Sequence, residues 1–301
     1  MLLKHIDINN LNTNIDNATP LPGSVPVIGI DRHRFLTDGE GVTTLVAFQG
    51  CPLDCKYCLN PQCKSYVKEY LNPKQLYDKV KIDDIYFLTT RGGITFGGGE
   101  PLLRSEFISE FREICGNKWS ICVETSLNVE VIHVKKLLDV VDHWIIDIKD
   151  WNNDIYKNYT GKDNHLVKTN LMYLLENGIA EKIMVRVPDI TNFNTNEDVT
   201  KTVEELKKIG IINIDRFAYI EDSIYIIKEV ETKKFSDNEC NEGKFKCEVL
   251  KSIRQHVADF NKIEYKPTEC SHKVCATGCC PVCDNELSWL TEEYYKVINN
   301  K

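Results

Sequence analysis

From Val27 onward, short apolar runs alternate with stretches whose apolar residues recur every three or four positions. The first kind of run reads as a buried strand and the second as an amphipathic helix; their alternation is the pattern of repeated βα units around a parallel sheet. Strands are expected at 44–49, 93–96, 119–124, 143–148, 182–187 and 215–220, with helices at 106–114, 130–140, 166–176 and 196–208. Six such strands suffice for an open, partial (β/α)6 TIM-like barrel of the α/β class. The rhythm weakens after Ile220 into a charged stretch at 229–246, and further helices are expected at 247–260 and 286–298. The polar, Asn-rich start carries Pro20, Pro22 and Pro26 and reads as irregular. The expected organisation is therefore a lead-in over 1–26, a barrel over 27–225 and a carboxy-terminal extension over 226–301, with no internal repeat.

Composition narrows the chemistry. The 301 residues, 42% hydrophobic, are enough for one substantial core. A formal net charge of -8 argues against a broad phosphate-binding surface, so nucleic acid is not expected as the main substrate. Neither a signal peptide nor a membrane span is legible, which makes the cytoplasm the expected location. Thirteen cysteines in a reducing compartment point to metal rather than disulfides, and an oxygen-poor cell suits them best.

The densest chemistry follows the first expected strand, in Gly50 and Cys51-Pro-Leu-Asp-Cys55-Lys-Tyr-Cys58. Three thiolates on one loop can face a single metal centre. A cubane iron–sulfur cluster closed by protein takes four, so three leave one iron open to a substrate or cofactor. Zinc accepts the same ligands but usually takes four in a structural site.

The CxxxCxxC pattern of Cys51, Cys55 and Cys58, with aromatic Tyr57 before the last cysteine, resembles the signature of the radical S-adenosylmethionine superfamily. The resemblance implies a [4Fe–4S] cluster whose open iron is chelated by S-adenosylmethionine, and reductive cleavage of that cofactor to methionine and a 5′-deoxyadenosyl radical. Over about residues 27 to 225 the chain resembles glycyl-radical-enzyme activases of the pyruvate formate-lyase activating type. Thr37-Asp38-Gly39-Glu40-Gly41-Val42 is similar to their DGPG turn, with Glu40 in place of the usual Pro and Thr43 where Arg is common. The run from Gly92 to Pro101 is similar to their strand ending in GGEP and implies that Gly98, Gly99 and Glu100 border the cofactor's amino group. Glu124-Thr125 and Asp147-Ile148-Lys149 match pocket positions at the next two strand ends. There the acids help hold a monovalent cation and Lys149 contacts S-adenosylmethionine. Val185-Arg186-Val187-Pro188 resembles an RxP element, implying a contact from Arg186 to the cofactor's carboxylate. Where activases often read Pro-Tyr-His, this chain has Phe217-Ala218-Tyr219-Ile220-Glu221, leaving Tyr219 or Glu221 to complete the pocket.

The activity so implied is hydrogen-atom abstraction from a protein or peptide, a glycyl radical enzyme being favoured, with electrons from a flavodoxin- or ferredoxin-type donor. A peptide maturase is the alternative within the superfamily, because such enzymes often carry extra clusters in a carboxy-terminal extension. A non-enzymatic iron–sulfur or zinc sensor would explain the cysteines but not the glycine, acid, Lys and Arg positions at successive strand ends.

The extension holds Cys270, Cys275, Cys279, Cys280 and Cys283, five thiols within fourteen residues. Four could enclose a second [4Fe–4S] cluster, or Cys280 and Cys283 could form half of a zinc site; iron–sulfur is the preferred expectation. Cys63, Cys115, Cys122, Cys240 and Cys247 show no pattern with the triad; Cys115 and Cys122 read as structural, and Cys240 and Cys247, which flank the extension and could reach a metal there, read rather as inert thiols. His33, between Arg32 and Arg34, is expected to face solvent.

Overall fold

A computed structural model describes residues 20–35, 38–219, 242–268 and 280–299. One eight-stranded sheet organises it: β1 (Val25–Phe35), β2 (Val42–Phe48), β3 (Glu69–Leu71), β4 (Gly93–Gly98), β5 (Ser120–Thr125), β6 (His143–Asp147), β7 (Ile183–Ile190) and β8 (Ile214–Tyr219), in the order β3-β1-β2-β4-β5-β6-β7-β8. From β2 to β8 every pairing is parallel. These are the six expected strands. Every residue of β2 is buried, as a strand covered on both faces requires. Arg34 and Asp38 near one edge and Asp215 and Phe217 on β8 line the same cavity, so the sheet curls into a partial barrel.

The helices are α1 (Pro73–Val80), α2 (Asp84–Thr90), α3 (Ser105–Cys115), α4 (Val131–Leu137), α5 (Asn153–Thr160), α6 (His165–Glu176), α7 (Asn196–Lys208), α8 (Glu242–Asn261) and α9 (Pro281–Asn299). The bounds of α7 match the expected ones because Thr195 and Asp198 close a capping box at its start. Three helices were not legible as apolar periodicity: α1, α2 and α5 span 8, 7 and 8 residues, little more than two turns each.

Two strands were also unforeseen. β1 runs antiparallel to β2, and β3 antiparallel to β1. β1 carries Pro26 and two breaks of register, so it lacks the clean period of two that marks a strand. Within it His33, expected in solvent, is buried at a positive φ of 61°. Its Nε2 lies 2.9 Å from Asp83 Oδ1, and its ring meets Tyr86 edge-on. Asp83 also accepts from Arg32 Nε at 2.8 Å. Burial works against its charge, but these two partners hold its carboxyl below the usual range.

The extension packs on the barrel. Leu250, Val257 and Ala258 of α8 and Leu287 and Leu290 of α9 share an apolar cluster with Val42, Ile85 and Tyr86. At its centre Arg254 is wholly buried, donating to Tyr86, to Tyr265 at 2.9 Å and to Glu286 at 3.1 Å. No helix among the described residues is long and apolar enough to cross a membrane.

Candidate active site

The cysteine loop leaves β2 through Gly50, whose φ of 99° favours glycine. Its backbone is tied down at several points: Asp54 N donates to Thr160 O at 2.8 Å and Lys56 N to Tyr159 O at 3.1 Å, so the end of α5 buttresses it. Lys64 Nζ donates to the carbonyls of Cys51, at 3.1 Å, and Leu53. Tyr57 packs edge-on against Phe193 at 5.5 Å and lies 6.2 Å from the Tyr159 ring. These contacts help to shape the loop, and its three thiols open onto a cavity of about 460 Å³. That volume suits a nucleoside-sized ligand. Of the residues expected in the pocket, those whose side chains are described line it: Tyr57 beside the thiols, Gly98, Gly99 and Glu100 at the end of β4, Glu124 and Thr125 at the end of β5, Asp147 and Lys149 at and just beyond the end of β6, and Arg186 within β7, opposite Asp147 in register.

The glycine edge also packs closely against its own neighbours. A Cβ on Gly99 would lie 2.1 Å from Gly50 O, and one on Gly98 2.7 Å from the Ala47 Cβ. The absent side chains thus let β4 close on β2 and on the root of the cysteine loop. Gly99 N donates to Phe48 O at 2.9 Å and Glu100 N to Gly50 O at 2.8 Å. Gly97 faces the interior, where a Cβ would meet Glu124 and Leu45 at 3.3 Å.

Glu100 is a brace as much as a cavity wall. Its Oε1 accepts from Thr125 Oγ1 at 2.6 Å and Leu102 N at 3.2 Å, and its Oε2 from Ser126 N and Oγ at 3.0 and 2.6 Å. Burial pushes its carboxyl up, opposed by these four donors. Across the cavity, Lys149 Nζ lies 2.9 Å from Asp147 Oδ2. Burial disfavours the lysine's charge, but Asp147 and the Cys55 thiol outweigh it, and the ammonium is held above its usual range. Arg186 Nη1 donates to Glu124 Oε1 at 2.8 Å.

Burial and then the charge of Asp38 push Glu124 up to about 7, with Arg186 pulling the other way. The Glu124 carboxylate therefore forms as pH rises through that value. Affinity for S-adenosylmethionine is expected to climb between about pH 6 and about pH 8, and Glu124→Gln to flatten the climb. Isothermal titration across that range checks this; a Gln variant that keeps the parent slope would exclude Glu124 as its source.

Two groups escaped sequence reading, one in the cavity wall and one bonded to a thiol of the triad. Arg34 sits opposite Thr43 in the β1–β2 register and bonds to Asp38, placing a guanidinium beside the position where activases commonly have Arg. The signal was the Arg32-His33-Arg34 run, misleading because alternation sends Arg34 and His33 to different environments. Cys63 is buried and hydrogen-bonds to Cys58, which is drawn down to about 6 chiefly by that bond against the cost of burial. Burial instead raises Cys51, to about 12, and Cys55.

Among the described residues no three His, Cys, Asp or Glu side chains converge on one point as a single metal ion requires. A cubane makes another demand, one thiolate for each of three irons, and a loop of three thiols beside a cavity with paired acids and cations fits a cluster with one open iron and an amino-acid-bearing cofactor. Of the tail cysteines, Cys280 and Cys283 are described, whereas Cys270, Cys275 and Cys279 lie outside the described residues, as do Thr37, Cys240 and Glu221 and the side chain of Tyr219.

Residues 45–206 match the Radical SAM superfamily. The chain is 31% identical over 186 residues to a pyruvate formate-lyase-activating enzyme of Clostridium pasteurianum, covering 59% of this chain and 77% of that protein. It is 27% identical over 237 residues to the (2S)-3-sulfopropanediol dehydratase activating enzyme of Klebsiella oxytoca, covering 57% and 74%. With the 4-hydroxyphenylacetate decarboxylase activating enzyme of Clostridium scatologenes it shares 24% over 268 residues, covering 66% and 86%.

Proposed function

Because the chain belongs to the Radical SAM superfamily, its match spanning more than half the sequence, we propose that this enzyme activates a glycyl radical enzyme by removing a glycine α-hydrogen from that partner. When bound, the [4Fe–4S] cluster and S-adenosylmethionine supply one-electron reductive cleavage and a carbon radical able to take a hydrogen atom. The chain's residues do the holding and orienting. Cys51, Cys55 and Cys58 would hold the cluster and leave it open on the cavity side to the cofactor. Lys149 and Arg186, each paired with an acid at 2.9 and 2.8 Å, offer fixed positive charge for the carboxylate. Glu124 and Asp147 supply the carboxylates for a monovalent cation, Glu100 keeps the ends of β4 and β5 together, and Tyr57 walls the cavity beside the last thiol. A flavodoxin- or ferredoxin-type protein is the proposed electron donor.

The observation that carries the reading is the meeting, in one cavity, of the three-thiol loop with charged groups from three successive parallel strands. The choice of partner is supported by the relatives, three of which are activating enzymes. The test is to incubate reconstituted protein with reductant, S-adenosylmethionine and a candidate glycyl radical enzyme under anaerobic conditions and record the electron paramagnetic resonance spectrum. A protein-based doublet that collapses to a singlet on glycine Cα deuteration is expected. 5′-Deoxyadenosine accompanied by a covalently altered short peptide and no protein radical would mark a maturase. No 5′-deoxyadenosine at all would mark a sensor.

A further inference from the structure

The chain that leaves the cysteine triad turns back on it at once. Asn60 Nδ2 donates to Gly98 O at 3.1 Å, and a short helical turn follows, Pro61–Lys64, whose Cys63 carbonyl accepts from Gly50 N at 2.8 Å. The turn is thus fastened to β4 and to the root of the loop, and its last two side chains meet the triad at its two ends. At one end the Cys63 thiol hydrogen-bonds to Cys58. At the other, Lys64 Nζ donates to the carbonyls of Cys51, at 3.1 Å, and Leu53.

A lone buried cysteine is an ordinary small hydrophobe, and an exposed lysine is usually a solvated charge. Here both are aimed. Cys63 is 1% exposed and packs with Ile28, Ala47 and Cys51, so water does not compete for its S–H. The bond to Cys58 and then burial keep the proton on Cys63, whereas Cys58 is drawn toward the thiolate, the form that ligates metal. The charge of Lys64 favours the thiolate at all three triad positions. Neither residue lines the cavity, which sets Cys63 apart from a fourth ligand facing the cofactor. We propose that Cys63 and Lys64 are positioning residues that raise the reduction potential of the cluster held by the triad, Cys63 through an S–H donor on the Cys58 sulfur and Lys64 through a positive charge fixed at the Cys51 carbonyl. Reduction adds one negative charge, and hydrogen bonds to sulfur together with net charge set the potential of an iron–sulfur centre. A donor and a cation both favour the reduced form, so the cluster takes its electron from a weaker reductant. The inference rests on the cluster and not on the identity of the partner protein.

The test compares full-length parent, Cys63→Ala, Cys63→Ser, Lys64→Gln and Lys64→Arg proteins, reconstituted anaerobically and titrated with Ti(III) citrate and redox mediators in the absence of S-adenosylmethionine. Electron paramagnetic resonance follows the reduced cluster, and every variant is expected to carry the parent's iron and sulfide. Cys63→Ala should move the midpoint to a more negative potential. At the parent's midpoint its ratio of reduced to oxidised cluster should fall by roughly 2- to 10-fold, the scale of a single hydrogen bond. Cys63→Ser, which keeps a donor, should lie between the two. Lys64→Gln should shift the same way by less, and the shift should shrink as salt rises, because an exposed charge is screened and a buried bond is not. Lys64→Arg keeps the charge and should titrate as the parent does. An unchanged midpoint in Cys63→Ala, or a Ser variant shifted as far as the Ala variant, would overturn the S–H donor. A Lys64→Gln midpoint equal to the parent's at low salt would overturn the role of the charge. Iron lost from Cys63→Ala, with a parental midpoint in the cluster that remains, would make Cys63 a brace or a ligand and sink the proposal.

Discussion

Cys55→Ala protein, reconstituted anaerobically with iron and sulfide and reduced with dithionite, is expected to form no 5′-deoxyadenosine above background. Three thiolates leave one iron of a cubane open; two leave a second iron open, and the cluster loses the arrangement that presents a single site to the cofactor. Cys51→Ala and Cys58→Ala should behave alike. The fold should survive, because the loop is held by Thr160, Tyr159 and Lys64 through its backbone rather than by its thiols. Thermal melting should stay within about 2 °C of the parent, as for a substitution costing no more than ~0.5 kcal/mol. Product is read by liquid chromatography and folding by circular dichroism on the same sample. Parent-level 5′-deoxyadenosine from the Cys55 variant would remove the cluster assignment.

Gly99→Ala is expected to lose both iron and activity, an outcome that separates two roles for the glycine edge. The added Cβ would stand 2.1 Å from Gly50 O and 3.2 Å from Phe48 O, which are backbone atoms with no rotamer to give way. Relief requires β4 to move off the root of the cysteine loop, breaking the bonds from Gly99 N and Glu100 N. Overpacking of this kind costs on the order of 1–3 kcal/mol, or a fall in Tm of ~2–5 °C in a chain of this size. Iron per chain after reconstitution should drop below about half. Lys149→Ala, by contrast, should keep its iron and weaken S-adenosylmethionine binding alone, since it removes one charge from the cavity wall. If Gly99→Ala instead loads iron normally and only binds the cofactor less tightly, the glycine serves the ligand directly and the clamp is not its role.

The six parallel strands and four of the barrel's helices were legible because each is specified by its own residues. An apolar run such as 42–48 buries both faces wherever it is placed, and Thr195 and Asp198 cap α7 with atoms three residues apart. The triad and the motifs after β4, β5, β6 and β7 were legible for a similar reason. Alternating βα units deliver every parallel strand's carboxyl end to the same side, so order along the chain translates into proximity. What the sequence by itself determined is therefore the sheet, its open end and the identity of the groups gathered there.

Other features depended on partners that no local pattern announces. His33 is buried because Asp83, fifty residues on, shares it with Arg32. Arg34 reaches the cavity because β1 returns antiparallel beside β2 and sets it across from Thr43. Gly99 matters through a carbonyl on another strand's loop, and Cys63 through the sulfur of Cys58. Cys247 gains a neighbour only when α8 and α9 lie together on α2. Each of these is a contact between segments far apart in the chain, fixed by packing and by the need to pair buried polar groups, and so only the tertiary structure could decide it.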